Sequence, residues 1–258
     1  GVDRAIRWLE QHRGYDRLLV MHLMDAHGPY RSPASYANKF SSFLYRGGFK
    51  GKMDGKDYLE LAEGKSPVTD ERVRQQIRDL YDGGLLYADH QVGRLYEAVQ
   101  QKGGTDDVTF IVTSDHGEEL WEHGGFDHGH QAYNELLRIP WVMESPATFK
   151  GGQKVSGPVR QTDLVPTLLE MLNLPIPQGL DGLSLLSHLK GGAEPWKAPR
   201  VLFAENELYG SAQAAAIRGD TKYLYNMGAT NKPERRPASD HRHELYDLKK
   251  DPRESINV

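Results

Sequence analysis

The residues best suited to chemistry lie between Asp115 and His130. That span holds His116, His123, His128 and His130 together with Asp115, Glu118, Glu122 and Asp127. Carboxylates and imidazoles gathered this densely are the donors a divalent cation takes. The cluster opens with Thr113-Ser114-Asp115-His116-Gly117-Glu118, directly after Val108–Thr113. That short β-branched run reads as a strand buried on both faces, the kind found in parallel sheets. A second apolar run, Arg17–Met24, also ends in a polar group, Asp25-Ala26-His27-Gly28-Pro29-Tyr30. Two such strands in a parallel sheet aim their carboxyl ends at one crevice, each delivering an Asp and a His. His22, inside the second run, reads as a core residue. Asp25 reads equally well as a ligand or as the cap of the following turn.

The elements that must position these groups follow from spacing. Val2–His12 has helical periodicity with Gly14 as a stop, and Thr69–Gln101 is a long helix that Thr69 caps. Gly83-Gly84 inside it marks a kink or close packing. Arg31–Lys65 lacks a period and reads as a solvated insertion or binding loop. Ile139–Glu144 is a further strand. Thr162-Asp163 starts a helix through Leu172, with Pro166 in its first turn. Leu180–Leu186 reads as a short helical piece and Thr230–Asp240 as a polar loop. Beyond Arg200, Val201–Glu205, Ala214–Arg218, Lys222–Tyr225 and His243–Leu248 are short runs separated by turn residues, the pattern of an antiparallel sheet. The expected division is residues 1–199 as the later part of a catalytic α/β domain and 200–258 as a C-terminal antiparallel subdomain.

The 258 residues suffice for a full core, and the net charge of −4 gives no general attraction to nucleic acid or membrane. No apolar run approaches a membrane span in length. The chain has no Cys, so neither disulfides nor thiolate ligands form within it. It begins at Gly1 rather than Met, which reads as a processed start or a piece of something longer.

Several separated stretches resemble, in order, the motifs of the sulfatase family of the alkaline-phosphatase-like superfamily. His22–Tyr30 resembles its mid-chain histidine motif, and Leu86–Leu95 the helix before its second metal motif. Thr113–Glu118 resembles that metal motif. Gln161–Leu169 and Leu180–Leu185 resemble its closing helix region, and Glu244–Pro252 its terminal motif. The resemblance covers essentially the whole chain but only the later part of the family's pattern. The family's paired-Asp motif and its nucleophile motif Cys/Ser-x-Pro-x-Arg have no counterpart here; Arg31-Ser32-Pro33-Ala34-Ser35 does not fit.

What the resemblance implies is an α/β fold, a parallel-type sheet flanked by helices, with a small C-terminal antiparallel sheet. It implies a sulfuric ester hydrolase in which a formylglycine hydrate, located upstream of this chain, attacks the sulfur of a sulfate monoester. Asp115 and His116 would ligate a divalent metal, expected to be calcium, with manganese or zinc favoured somewhat by the imidazole, since many sulfatases have Asn where this chain has His116. His27 matches the histidine that contacts the ester and assists the leaving oxygen. His128 stands where some members place a sulfate-binding Lys, with a charge expected to vary near neutral pH; its competing reading is a partner of Asp115. His123 and His130 are expected in supporting or substrate-loop positions, and Arg138 in a structural one. The expected substrate is a small-molecule or glycan sulfate ester, and the expected compartment periplasmic, secreted or lysosomal-type. Two alternatives stay open: a phosphonate monoester hydrolase or phosphodiesterase of the same superfamily, and a catalytically incomplete binding module. Two-zinc members generally space the earlier Asp and His four apart, whereas Asp25 and His27 are two apart, which argues against a pair of zinc ions. Turnover by these 258 residues alone is not expected.

Overall fold

Helix α1 (Val2–Gln11) forms where the apolar spacing predicts it, burying Val2 and Ala5, and Gly14 turns the chain away at a φ of 85°. The computed structural model describes residues 1–40, 55–65, 68–101, 108–194, 196, 199–228 and 241–258. The chain divides into two compact units, Gly1–Gly104 and Thr105–Val258.

In the first unit, Arg17–Met24 does not form the expected strand. Leu18 and Val20 are each 82% exposed, and His22 is exposed rather than in the core. A strand is held by a ladder of hydrogen bonds to a neighbour, and this run has no ladder partner among the described residues. Among the described residues, the insertion after it is partly buried rather than wholly solvated. It contributes α2 (Ala34–Ala37) and α3 (Gly55–Ala62), and α3 buries Tyr58, Leu61 and Ala62. Fully buried Tyr30 meets Tyr58 and Tyr81 edge-on, with ring centroids 6.2 and 5.5 Å apart. Each such pair contributes about 0.5–1.5 kcal/mol beyond burial. The long helix α4 (Glu71–Gln101) is capped by Asp70, not Thr69: Asp70 Oδ1 accepts from the Arg72 N–H at 2.9 Å. Gly83-Gly84 marks close packing. A Cβ on Gly84 would lie 2.4 Å from the Asp25 carbonyl oxygen, and one on Gly83 2.8 Å from Ala37 Cα.

In the second unit, β1 (Phe110–Thr113) leads into a tight hairpin of β2 (Glu119–Leu120) and β3 (Phe126–Asp127), then α5 (Asn134–Leu137) and β4 (Trp141–Glu144). β1 and β4 pair antiparallel, Val112 opposite Val142. The pairings in the described residues are all antiparallel. Helix α6 (Leu164–Met171) follows a 3-10 turn over Gln161–Asp163 and carries Pro166 as its third residue, where no intrahelical N–H bond is lost. Leu180–Leu185 is not helical; the short helix there is α7 (Leu186–Leu189).

The four runs beyond Arg200 form the expected antiparallel sheet, β5 (Val201–Asn206), β6 (Ala212–Arg218), β7 (Thr221–Gly228) and β8 (His243–Asp247), in sequence order. Alternation decides its faces. Lys222, Leu224 and Asn226 point inward while Thr221 and Tyr223 point out. The inner face packs Ala215, Leu224 and Tyr246 on Ala132 and Tyr133. This sheet therefore forms the floor under the histidine-rich segment. The expected loop over 230–240 lies outside the described residues.

Candidate active site

Asp115 and His116 follow directly from the end of β1, and three contacts fix the turn that carries them. Gln161 Nε2 donates to the carbonyls of Ser114 and Asp115 at 2.9 and 2.6 Å. Gly117 N donates to the Leu136 carbonyl at 2.9 Å. A Cβ at position 117 would lie 1.8 Å from the Glu135 carbonyl oxygen, so the turn after His116 admits only glycine without rearrangement.

His116 Nδ1 donates to the Gly117 carbonyl at 2.7 Å. A carbonyl only accepts, so the proton sits on Nδ1 and the ring lone pair on Nε2. That Nε2 lies 3.7 Å from Asp115 Oδ2, and the Asp115 side chain is 62% exposed. Metal–ligand bonds of about 2.0–2.4 Å can bridge donors at that separation. A hydrogen-bonded Nδ1 behind a ligating Nε2 is the usual second contact of a metal-bound histidine. The residues present thus fit a divalent cation.

His128 stands beside His116, the ring centroids 4.1 Å apart. Its Nδ1 lies 2.9 Å from Glu118 Oε1 and 2.8 Å from Asp127 Oδ1. Burial works against the imidazolium, but the hydrogen bonds to Asp127 and Glu118 outweigh it and push the pKa up to about 10. The expected dependence of His128 charge on pH near neutrality is therefore corrected: two carboxylates keep the ring cationic there. These same three residues bring one polar atom each within 4.8 Å of one another, and with the imidazole protonated the group is an internal ion pair in which His128 takes the place of a cation.

His123 and His130 take supporting positions. His123 Nδ1 donates to Glu135 Oε1 at 2.6 Å and its Nε2 to the Glu254 carbonyl at 3.0 Å, with its ring stacked on Tyr133 at 3.7 Å. Burial lowers its pKa, and the bond to Glu135 more than reverses that, so the net shift is upward. His130, fully buried, donates from Nε2 to Glu119 Oε2 at 2.5 Å. Arg138 is exposed, and its N–H closes α5 on the Asn134 carbonyl at 2.8 Å.

His27 belongs to the first unit and repeats the device of His116. Its Nδ1 donates to the carbonyl of the following residue, Gly28, at 2.6 Å, which puts the lone pair on Nε2. Asp25 contributes its backbone to the packing on Gly84.

Sequence reasoning missed the groups that hold this site in place. Glu119, 0% exposed, accepts from the N–H groups of His123 and Gly125 and from the side chains of His130 and Gln131. Burial raises its pKa, and the hydrogen bonds led by His130 bring the net shift below the usual carboxylate range. Asp163, also fully buried, takes both Arg200 guanidinium nitrogens at 2.6 and 2.7 Å and the N–H groups of Leu183 and Arg160. It anchors the turn that presents Gln161. Glu254 ties the C-terminal residues to Lys222 at 2.5 Å and to the Asn134 N–H at 2.6 Å. Arg200, Lys222 and Asn134 are remote in sequence from the carboxylates they meet, and the donors to Glu119, though within four to twelve residues, converge on it only once the hairpin folds, so no local pattern marks them. The one available signal was Thr162-Asp163, read only as a helix cap.

Comparison with known proteins gives the same direction. The sulfatase family profile matches residues 2–174, and the profile described as N-sulphoglucosamine sulphohydrolase, C-terminal, matches residues 121–258. The uncharacterized sulfatase YidJ of Escherichia coli is 26% identical over 272 residues, covering 99% of this chain and 50% of its own length. Arylsulfatase K of Bos taurus is 26% identical over 286 residues, covering 100% of this chain and 51% of its own. The multifunctional alkaline phosphatase superfamily protein PehA of Trinickia caryophylli is 36% identical over 143 residues, 54% of this chain and 27% of its own. This chain spans about half the length of the first two relatives. Among solved structures, the phosphonate monoester hydrolase of Agrobacterium radiobacter superposes with a TM-score of 0.72 at 23% identity, covering all of this chain and 55% of its own. A protein solved with its substrate, D-glucosamine-2-N,6-O-disulfate, superposes with a TM-score of 0.66 at 20% identity, covering all of this chain and 64% of its own. These superpositions show an alkaline-phosphatase-like α/β fold, here with a small antiparallel sheet at the C-terminal end. With both its profile matches and its ordered motifs pointing one way, this chain belongs to the sulfatase family.

Proposed function

We propose that this chain is the later part of a metal-assisted sulfuric ester hydrolase. The observation that carries the reading is the pairing of His116 and Asp115. The imidazole lone pair is fixed on Nε2 by the Gly117 carbonyl and set beside an exposed carboxylate. Asp115 and His116 would hold a divalent cation, with calcium the first choice and manganese or zinc the alternatives. Bound there, the cation would withdraw charge from the sulfate oxygens. A formylglycine on a segment outside this sequence would supply the nucleophile.

This chain's own residues then have distinct tasks. Cationic His128, held by Glu118 and Asp127, would attract the sulfate and offset its charge. His27, with its proton on Nδ1 and its lone pair on Nε2, would accept a hydrogen bond or proton at Nε2 and hand a proton to the leaving oxygen. Residues 1–199 would carry this machinery, and 200–258 would form a C-terminal antiparallel subdomain.

The substrate we propose is a sulfated sugar. The match of residues 121–258 to an N-sulphoglucosamine sulphohydrolase profile supports it, as does the fold shared with a protein that binds a glucosamine disulfate. The proposed compartment is periplasmic, secreted or lysosomal-type. Among the described residues no helix is long and apolar enough to cross a membrane.

The test is hydrolysis of a chromogenic sulfate ester by the full-length gene product, with and without chelator. Loss of turnover on chelation, restored by calcium or manganese, supports the reading; chelator-insensitive turnover sinks it. The 36% identity to a multifunctional superfamily protein favours a second reading, phosphonate monoester hydrolysis. A higher kcat/KM for an aryl phosphonate ester than for the matched sulfate would select that reading instead.

A further inference from the structure

The hairpin that carries His128 is too short to hold itself. β2 and β3 contribute two residues each, Glu119 opposite Asp127 and Leu120 opposite Phe126. An isolated hairpin of that length is unstable in water. Asp127 also sits at a φ of +81°, a region unfavourable for a residue with a side chain, so something around it must hold that conformation.

Glu119 lies where that restraint is needed. Its Oε1 accepts from His123 N at 3.0 Å and Gly125 N at 2.7 Å, which closes the turn before β3. Its Oε2 accepts from His130 Nε2 at 2.5 Å and Gln131 Nε2 at 2.8 Å, which fixes the segment after His128. One buried carboxylate therefore grips the chain on both sides of His128. Its backbone neighbour Glu118 and its ladder partner Asp127 are the two carboxylates that hold the His128 ring. We infer that Glu119 is the positioning residue of this site: its carboxylate sets where Glu118, Asp127 and His128 converge, without itself touching substrate. The catalytic meaning of that convergence rests on the function proposed above; the convergence itself does not.

Two substitutions separate the contacts. Glu119→Ala removes all four acceptor bonds. Glu119→Gln keeps a carbonyl oxygen for His123 N and Gly125 N, but turns an amide donor toward the donors of His130 and Gln131. The experiment uses the 258-residue chain labelled with ¹⁵N-histidine. It reads the downfield His128 Nδ1–H proton and the exchange protection of the Gly125 amide. Leu224→Ala, in the core of the C-terminal sheet, serves as a control of comparable destabilisation. The expected result is loss of the His128 proton signal in both Glu119 variants and its retention in Leu224→Ala. Gly125 protection should survive in Glu119→Gln, which keeps the proposal testable if Glu119→Ala fails to fold. An unchanged His128 signal in folded Glu119→Gln overturns the proposal, as does equal loss of that signal in Leu224→Ala. The histidine signal decides the role of Glu119 whether or not the full-length enzyme hydrolyses a sulfate ester, so the two readings fail separately.

Discussion

Replacing Arg200 with Met should cost more stability than any surface change in this chain, because of what it leaves behind. Asp163 is 0% exposed and Arg200 7%, and the pair is joined by two hydrogen bonds of 2.6 and 2.7 Å. Without the guanidinium, Asp163 keeps only the Leu183 and Arg160 N–H groups at 2.9 and 2.8 Å. Removing one partner of a buried pair typically costs about 3–5 kcal/mol. The two surviving donors put the expectation at the low end, about 3 kcal/mol, or a fall in Tm of about 6–12 °C for a chain of this size. The assay is thermal unfolding followed by circular dichroism across pH. Burial raises the Asp163 pKa, and the Arg200 and backbone bonds bring it below the ordinary carboxylate value of about 4. A depressed folded pKa contributes stability that is present above the unfolded pKa and lost as pH falls through the folded one. The Tm gap between the two proteins should therefore be widest at pH 6–7 and narrow as pH falls below about 5. The double variant Asp163→Asn/Arg200→Met should recover part of the loss, since no unpaired charge remains. A Tm change under about 2 °C at neutral pH, or a gap that widens in acid, would refute the reasoning.

Gly84→Ala puts a methyl 2.4 Å from the Asp25 carbonyl and should destabilise the first unit by about 1–3 kcal/mol. Gly93→Ala, on the same helix with nothing within 4 Å, should stabilise by about 0.5–1 kcal/mol; urea unfolding of the two variants checks the opposite signs. The His123 ring should titrate above its ordinary value of about 6.5, because burial, which lowers it, is outweighed by the hydrogen bonds of its two N–H groups to Glu135 and the Glu254 carbonyl. Its contribution to stability is complete below pH 6.5 and fades as pH rises through the raised pKa. Histidine ring NMR should show that midpoint, and Glu135→Gln should return it toward 6.5 or below; a midpoint under 6 in the parent protein contradicts the assignment. In the full-length enzyme, His27→Asn should lower kcat for a sulfate ester by about 10²–10⁴-fold, more for esters with poor leaving groups.

The sheet over Val201–Asp247 was legible because turn residues separate its runs and β7 alternates: Lys222, Leu224 and Asn226 face in and Tyr223 faces out. The donor cluster was legible because Asp115, His116 and His128 stand close in sequence. Their anchors were not. Gln161 reaches the Ser114 carbonyl across 47 positions, and Lys222 on β7 reaches Glu254 in the segment after β8. Buried carboxylates such as Glu119 look like surface residues until their donors are known. Arg17–Met24 shows the opposite error. Its composition suits a strand, but a strand is defined by its neighbour, and that information is not contained in the run itself. The short helices α2 and α3 were missed because four to eight residues do not establish a period.

We assign the metal of the proposed sulfate ester hydrolase to Asp115 and His116. The most direct measurement is kcat/KM of the full-length gene product for an aryl sulfate, compared among the parent protein, Asp115→Asn and His116→Ala at controlled Ca²⁺ and Mn²⁺. Both substitutions should lower kcat/KM by at least about 100-fold, with partial restoration at higher metal concentration. Sulfate ester turnover that survives both substitutions would contradict the assignment.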